Sequence, residues 1–111
     1  MKKLSKTIHV DKISYSEYSK FVASTRRQYS YNENHEEALL GLGAETGEVL
    51  GLIQKYKRKK YVRLFNRNDL VNELGDVFYY LTALNNLYGI DLQELMSYNK
   101  TKLKERGYDK E

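Results

Sequence analysis

The residues of this sequence best equipped for chemistry are two pairs of acids, Glu45 with Glu48 and Glu73 with Asp76, each three positions apart inside a strongly helical pattern. At that spacing two side chains leave one helix face about one turn apart, so each pair aims two carboxylates at the same region. Two such helices packed face to face would gather four carboxylates. A cluster of this kind repels itself and is costly to bury unless a divalent cation compensates the charge. An oxygen-only ligand set favours Mg²⁺ or Mn²⁺ over zinc. The plainer alternative is a solvated acidic helix face, but such faces normally carry Lys or Arg three or four residues away. None of the four acids has one; Leu42, Val49, Leu52, Leu70, Val77 and Tyr80 occupy offsets of this kind instead. The pairs therefore border a core.

The elements that must position them are helices. Proline is absent and the apolar residues recur at helical rather than alternating spacing, which predicts an all-α fold, a four-helix bundle. The first helix is expected after the capping box Ser14 to Glu17, burying Tyr18, Phe21, Val22 and Thr25 and ending near Tyr29. The second is expected after Asn34, with Glu37 completing a second box, and with Leu39, Leu42, Thr46, Val49, Ile53 and Tyr56 on its inward stripe. Glu45, Glu48 and Lys55 fall on the stripe beside it. A third helix starts around Asn68 or Asp69 and stacks Leu70, Leu74, Val77, Leu81, Leu84 and Tyr88, with Glu73, Asp76 and Tyr80 alongside and Gly89 as its stop. Asp91 to Glu94 then caps a fourth helix that turns Leu92, Leu95, Met96 and Leu103 inward and lines up Asn99, Lys102 and Arg106 on one side.

Gly41, Gly43, Gly47 and Gly51 all lie in the second helix, and each interior glycine costs about 1 kcal/mol relative to alanine. Close approach of another helix or of a ligand is the reading favoured over a locally loose helix. Residues 1–13 are expected to form a flexible leader, residues 14–106 one domain, and residues 107–111 a frayed tail. A chain of 111 residues holds one core and no second domain.

No cysteine is present, which excludes disulfides, thiolate metal sites and a cysteine nucleophile. No apolar run approaches the roughly 20 residues that span a bilayer, and the basic start lacks the apolar stretch of a signal peptide, so a cytoplasmic protein without a membrane partner is expected. The net charge of +4 is concentrated in the run from Lys55 to Arg63. That run reads as a solvated helix end, as a phosphate-attracting rim, or as a nucleic-acid patch with tyrosines for stacking. His35 reads as a helix-start residue rather than a ligand, and His9 falls in the unpatterned leader.

Three segments together resemble the MazG-like all-α nucleoside triphosphate pyrophosphohydrolases, particularly the short single-domain forms of bacteria and their phages. Gly41-Leu42-Gly43-Ala44-Glu45-Thr46-Gly47-Glu48-Val49 is similar to the family's Gly-Leu-x-x-Glu-x-Gly-Glu-Val segment. Glu73-Leu74-Gly75-Asp76-Val77-Phe78-Tyr79-Tyr80-Leu81 resembles its Glu-Leu-Gly-Asp-Val-x-aromatic-Tyr-Leu segment, and Asn99 to Arg106 its closing Asn-x-x-Lys-Leu-x-x-Arg. Order and spacing agree from about Tyr15 to Arg106. The chain departs from many relatives in having Ala44, not glycine, before the first glutamate, and in lacking the tryptophans that stack on the base in some cytosine-selective relatives.

The resemblance implies hydrolysis of a nucleoside triphosphate to the monophosphate and pyrophosphate, with Mg²⁺, or Mn²⁺ in its place, held by Glu45, Glu48, Glu73 and Asp76. A triphosphate needs its charge neutralised before water can approach phosphorus, which is independent physical reason for a cation there. Glu45 or Glu48 would orient or deprotonate the water. Lys55, Asn99, Lys102 and Arg106 are candidates to hold phosphate oxygens, Lys102 and Arg106 with the alternative of surface charges near a helix C-terminus, and Tyr80 to touch sugar or base, with the alternative of a core aromatic. A homodimer or homotetramer is expected, because four short helices with apolar stripes on more than one side give a small core for one chain. Two other functions stay open on the same residues: hydrolysis of another pyrophosphate-linked nucleotide, such as a guanosine alarmone or phosphoribosyl-ATP, and non-catalytic binding of nucleic acid by a basic helical protein.

Overall fold

A computed structural model describes residues 10–58 and 66–108. Four helices follow one another: α1 (Tyr15–Thr25), α2 (Tyr31–Arg58), α3 (Arg67–Tyr88) and α4 (Leu92–Glu105). The leader before Val10, the basic residues Lys59, Lys60 and Arg63, and the last three positions lie outside the described residues, as does the Tyr56 side chain.

Helix α3 is the centre of the fold, with α2 on one side and α1 on another. The α2–α3 pair is an antiparallel hairpin: His35 near the start of α2 meets Tyr88 at the end of α3, and Gly41 meets Tyr80 further in. Helix α1 also runs antiparallel to α3, with Ser19 bonded to Asn86 at 3.1 Å and the Thr25 hydroxyl to that of Tyr79 at 2.5 Å. Phe78 receives Tyr18 in a stacked contact at 5.5 Å and the edge of Tyr15 at 5.9 Å. The core proper is small, consisting of Val22, Ala38 and Ala83 with Tyr18, Tyr79, Tyr80 and Leu84 packed around them.

Local chemistry sets the helix ends. Ser14 caps α1 by accepting from the Glu17 amide at 3.1 Å, as the sequence leads one to expect, but α1 stops at Thr25, a turn before Tyr29. Helix α2 begins one turn earlier than Asn34. Its capping box is Ser30 with Glu33: the Ser30 hydroxyl accepts from the Glu33 amide at 3.2 Å and the Glu33 carboxylate accepts from the Ser30 amide at 2.9 Å. Those bonds hold the Glu33 carboxyl below its ordinary pKa. Asn34 and Glu37 are left free for Arg26, which they both bond. Asn66 caps α3 through the amides of Asn68 and Asp69, and Gly89 ends it at φ 63°, a conformation that suits glycine. Asp91 occupies the first position before α4 but makes no side-chain capping bond.

The inward faces are rotated from the expected stripes. Phe21, Leu39, Ile53, Leu74, Met96 and Tyr88 are exposed, Thr46 likewise, whereas Ala38, Glu45 and Leu52 of α2 and Glu73, Thr82, Ala83 and Asn85 of α3 are buried. Two adjacent helices can come together on either of two neighbouring stripes, and here small, polar and acidic residues, with Leu52, line the contact. No residue of α4 is buried. The radius of gyration, 16.7 Å, exceeds the roughly 13 Å of a compact chain of this length.

The placement of the α2 capping box is testable. Ser30→Ala is expected to cost about 1 kcal/mol in urea unfolding, with far-UV circular dichroism showing the helices retained.

Candidate metal and nucleotide site

The acids lie where α2 and α3 face each other. Because the helices are antiparallel, Glu45 on α2 comes opposite Asp76 on α3, and Glu48, one turn on, comes opposite Glu73. Glu45, Glu73 and Asp76 each present a carboxylate oxygen within 4.8 Å of the other two. Glu45 and Glu73 are only 6% and 5% exposed. One oxygen of each of the three acids is buried without a hydrogen-bond partner. Glu48 is exposed and stands at the solvent side of this group, close enough that its charge reaches all three.

Burial pushes the pKa of each of these three acids up, and the neighbouring negative charges add to it. For Glu45 those charges are Glu48 and Asp76; for Asp76 the charge is Glu48. Glu73 feels a hydrogen bond and a charge from Glu48, then Asp76. The Asn72 amide pulls Glu73 the other way, yet its Nδ2 makes no hydrogen bond of good geometry and is buried beside the acids. Asn72 carried no signal in the sequence beyond standing one turn before Asp76.

This arrangement fits a hard divalent cation. The donors are all oxygen, they converge, and buried oxygens lacking partners are what a positive ion would satisfy. Native structures rarely leave such groups unpaired, so a proton or a cation must answer for them.

Tyr80 lies one turn past Asp76, half-buried, its ring filling the space where a side chain at Gly41 would begin. Burial raises its pKa, as do the charges of Glu37 and Glu45, against the opposing pull of Arg26. Close approach thus explains Gly41, whereas Gly43, Gly47 and Gly51 face open space within this chain. Gly47 and Gly51 instead line, with Leu50, Ile53 and Lys57, a surface groove to which none of the four acids contributes.

The other sequence candidates are not gathered at the acids. Lys55 is exposed in the last turns of α2. Asn99 and Lys102 are exposed on α4, in separate surface grooves, and Arg106 is the residue that ends that helix. Among the described residues no ion pair or hydrogen bond joins these four to the acids. His35 bonds the Tyr88 hydroxyl at 2.6 Å and stays out of the acidic group. What the sequence did not reveal is Arg26, whose buried guanidinium anchors α1 to the start of α2.

The model of the MazG nucleotide pyrophosphohydrolase domain matches residues 33–109, which include both acid pairs. The chain belongs to this family. It is also 36% identical over 69 residues to the Gene 37 protein of Mycobacterium phage L5, a match covering 60% of this chain and 60% of that protein. No solved structure matches it. Membership agrees with the all-α architecture, and the buried acidic group suits the metal dependence typical of MazG domains. Among the described residues, no helix is long and apolar enough to cross a membrane.

The electrostatics of this MazG site give a pH test. Each buried carboxyl has a folded-state pKa above its unfolded value, so the folded form holds its proton more tightly. Metal-free protein should gain stability as pH falls from the raised values towards the ordinary carboxylate range, and lose it as pH rises through them. Thermal melts should give a higher Tm near pH 5.5 than near pH 8, and Mg²⁺ or Mn²⁺ should raise Tm more at about pH 8, where protons no longer compete.

Proposed function

We propose that the protein is a Mg²⁺-dependent hydrolase, active also with Mn²⁺, that converts nucleoside triphosphates to the monophosphate and pyrophosphate in the cytoplasm. The observation that carries this reading is the convergence of Glu45, Glu73 and Asp76, each with a buried, unpartnered oxygen, in a chain of the MazG family. These three acids would hold the cation. When bound, it neutralises the triphosphate and polarises the phosphoryl group.

Glu48 has the position of a base. It is exposed to solvent, yet lies beside Glu73. Its carboxylate accepts the proton of the attacking water while the water oxygen bonds to phosphorus; the bridge between the α and β phosphoryl groups breaks and pyrophosphate departs with the bridging electron pair. Glu45 orients that water from the other side of the α2 turn, and Tyr80 borders the pocket towards sugar and base.

The phosphate-holding role of Asn99, Lys102 and Arg106 belongs to an assembly. In a single chain α4 is unburied and stands off the acids, while Leu40, Leu50 and Leu74 are 67%, 63% and 48% exposed. A helix of this length is marginal by itself in water. A homodimer or homotetramer would cover these apolar faces, and α4 of one copy could then serve the acids of another, with Lys55 at the rim. The proposed catalytic unit is residues 14–106.

The test is incubation with each common ribo- and deoxyribonucleoside triphosphate, with Mg²⁺ and with EDTA, and separation of products by ion exchange. Monophosphate plus pyrophosphate formed only with metal is the expected result. Glu45→Gln and Asp76→Asn should lower kcat/KM by more than the roughly 100-fold that disturbing a ligand's support can cost. Turnover insensitive to EDTA, or surviving in both variants, would refute the assignment.

A further inference from the structure

Arg26 is the most demanding residue in the fold. It immediately follows α1 and is 6% exposed, and burying a charge costs several kcal/mol unless good partners repay it. The partners are there. Glu37 takes both terminal nitrogens, at 2.6 and 3.3 Å, Asn34 accepts from Nε at 2.8 Å, and the Tyr79 hydroxyl lies 3.5 Å from Nη1. Three rings surround the guanidinium, Tyr29 at 4.8 Å and Tyr79 and Tyr80 each at 5.7 Å. Burial alone would lower the Arg26 pKa, but the Glu37 and Tyr79 bonds raise it, so the group is firmly charged.

Packing alone does not call for this. Apolar side chains of similar volume commonly replace a buried ion pair with no loss of stability. What a forked guanidinium adds is direction, because its planar donors lock against a carboxylate in one orientation and present a flat face to neighbouring rings. The rings it faces lead to the acid site. Tyr79 and Tyr80 meet edge to face at 5.0 Å, Tyr80 fills the notch at Gly41, and Tyr80 stands one turn from Asp76 within reach of the Glu45 charge.

We propose that Arg26, tethered by Glu37, and Gly41 are positioning residues that set the Tyr80 ring where the nucleotide binds. This rests on the pyrophosphohydrolase reading above. Arg26 lies 5.7 Å from the centre of the Tyr80 ring and Gly41 leaves room for its edge, so disturbing either should give the same kinetic signature. The acids themselves stay on their own helix turns, so cation binding without nucleotide should change little.

The experiment compares wild type with Gly41→Ala, Arg26→Lys and the apolar double variant Arg26→Met with Glu37→Leu. It measures KM and kcat for the triphosphate that wild type hydrolyses best, Mn²⁺ affinity without nucleotide, and Tm. Gly41→Ala and the double variant should each raise KM about tenfold or more, as misplacement of a positioning group does. Their Mn²⁺ affinity should fall by less than the roughly tenfold that loss of ligand support brings. Arg26→Lys should not restore KM, since it keeps the charge and loses the fork. Folded variants with wild-type KM, whatever their Tm, would overturn the inference and leave the enzyme assignment standing; should one variant fail to fold, the others decide. A wild type without turnover of any nucleotide would instead overturn the assignment, and the inference with it.

Discussion

Three carboxylates forced within 4.8 Å of one another between two helices are the constraint around which the chain is organised. Without a cation or protons the α2–α3 contact is repulsive at its middle, because burial raises the free energy of each charge and the neighbours raise it further. The attraction that closes the hairpin is therefore placed elsewhere along it. At one end stand Ala38, Ala83 and Val22, then Tyr80 in the notch of Gly41, and the Arg26–Glu37 pair that ties α1 to both helices. A cation at the acids would add the missing attraction, so binding and folding are one energetic problem for this protein.

The same constraint accounts for the outside of the molecule. With acids and small residues spent on the helix contact, the larger apolar side chains Leu40, Leu50, Val71 and Leu74 are left outward. A chain that hides so little apolar surface within itself gains from covering it with another copy. The exposed α4, bearing Asn99, Lys102 and Arg106, has the same need. Under the proposed function, quaternary structure and the phosphate side of the pocket become one question.

The acid pairs were legible in the sequence because charge without countercharge at helical offsets has few explanations, and the family pattern runs through the same residues. Helix number followed from helical periodicity, and the stop at Gly89 and the start of α1 at Ser14 from capping chemistry. The inward stripe of α2 did not. Hydrophobic periodicity favours Leu39 and Ile53, but the close contact selects the smaller Ala38 and the acid Glu45, and periodicity cannot weigh small against large. Arg26 escaped notice for a related reason: its partners lie 8 and 11 positions away across a turn, and Asn34 with Glu37 imitates a capping box that Ser30 and Glu33 actually supply. The position of α4 relative to the acids has no local signal in the sequence.

The most direct test of the central claim is a Mn²⁺ titration of metal-free protein followed by electron paramagnetic resonance, which counts free and bound ion without reference to catalysis. Saturable binding is expected in the wild type, and Glu73→Gln, with its helices intact by circular dichroism, should weaken it by at least about tenfold. Mn²⁺ that stays free in the wild type, or that binds equally well to the variant, would mean that the acids are balanced by protons alone and that this site is not a metal centre.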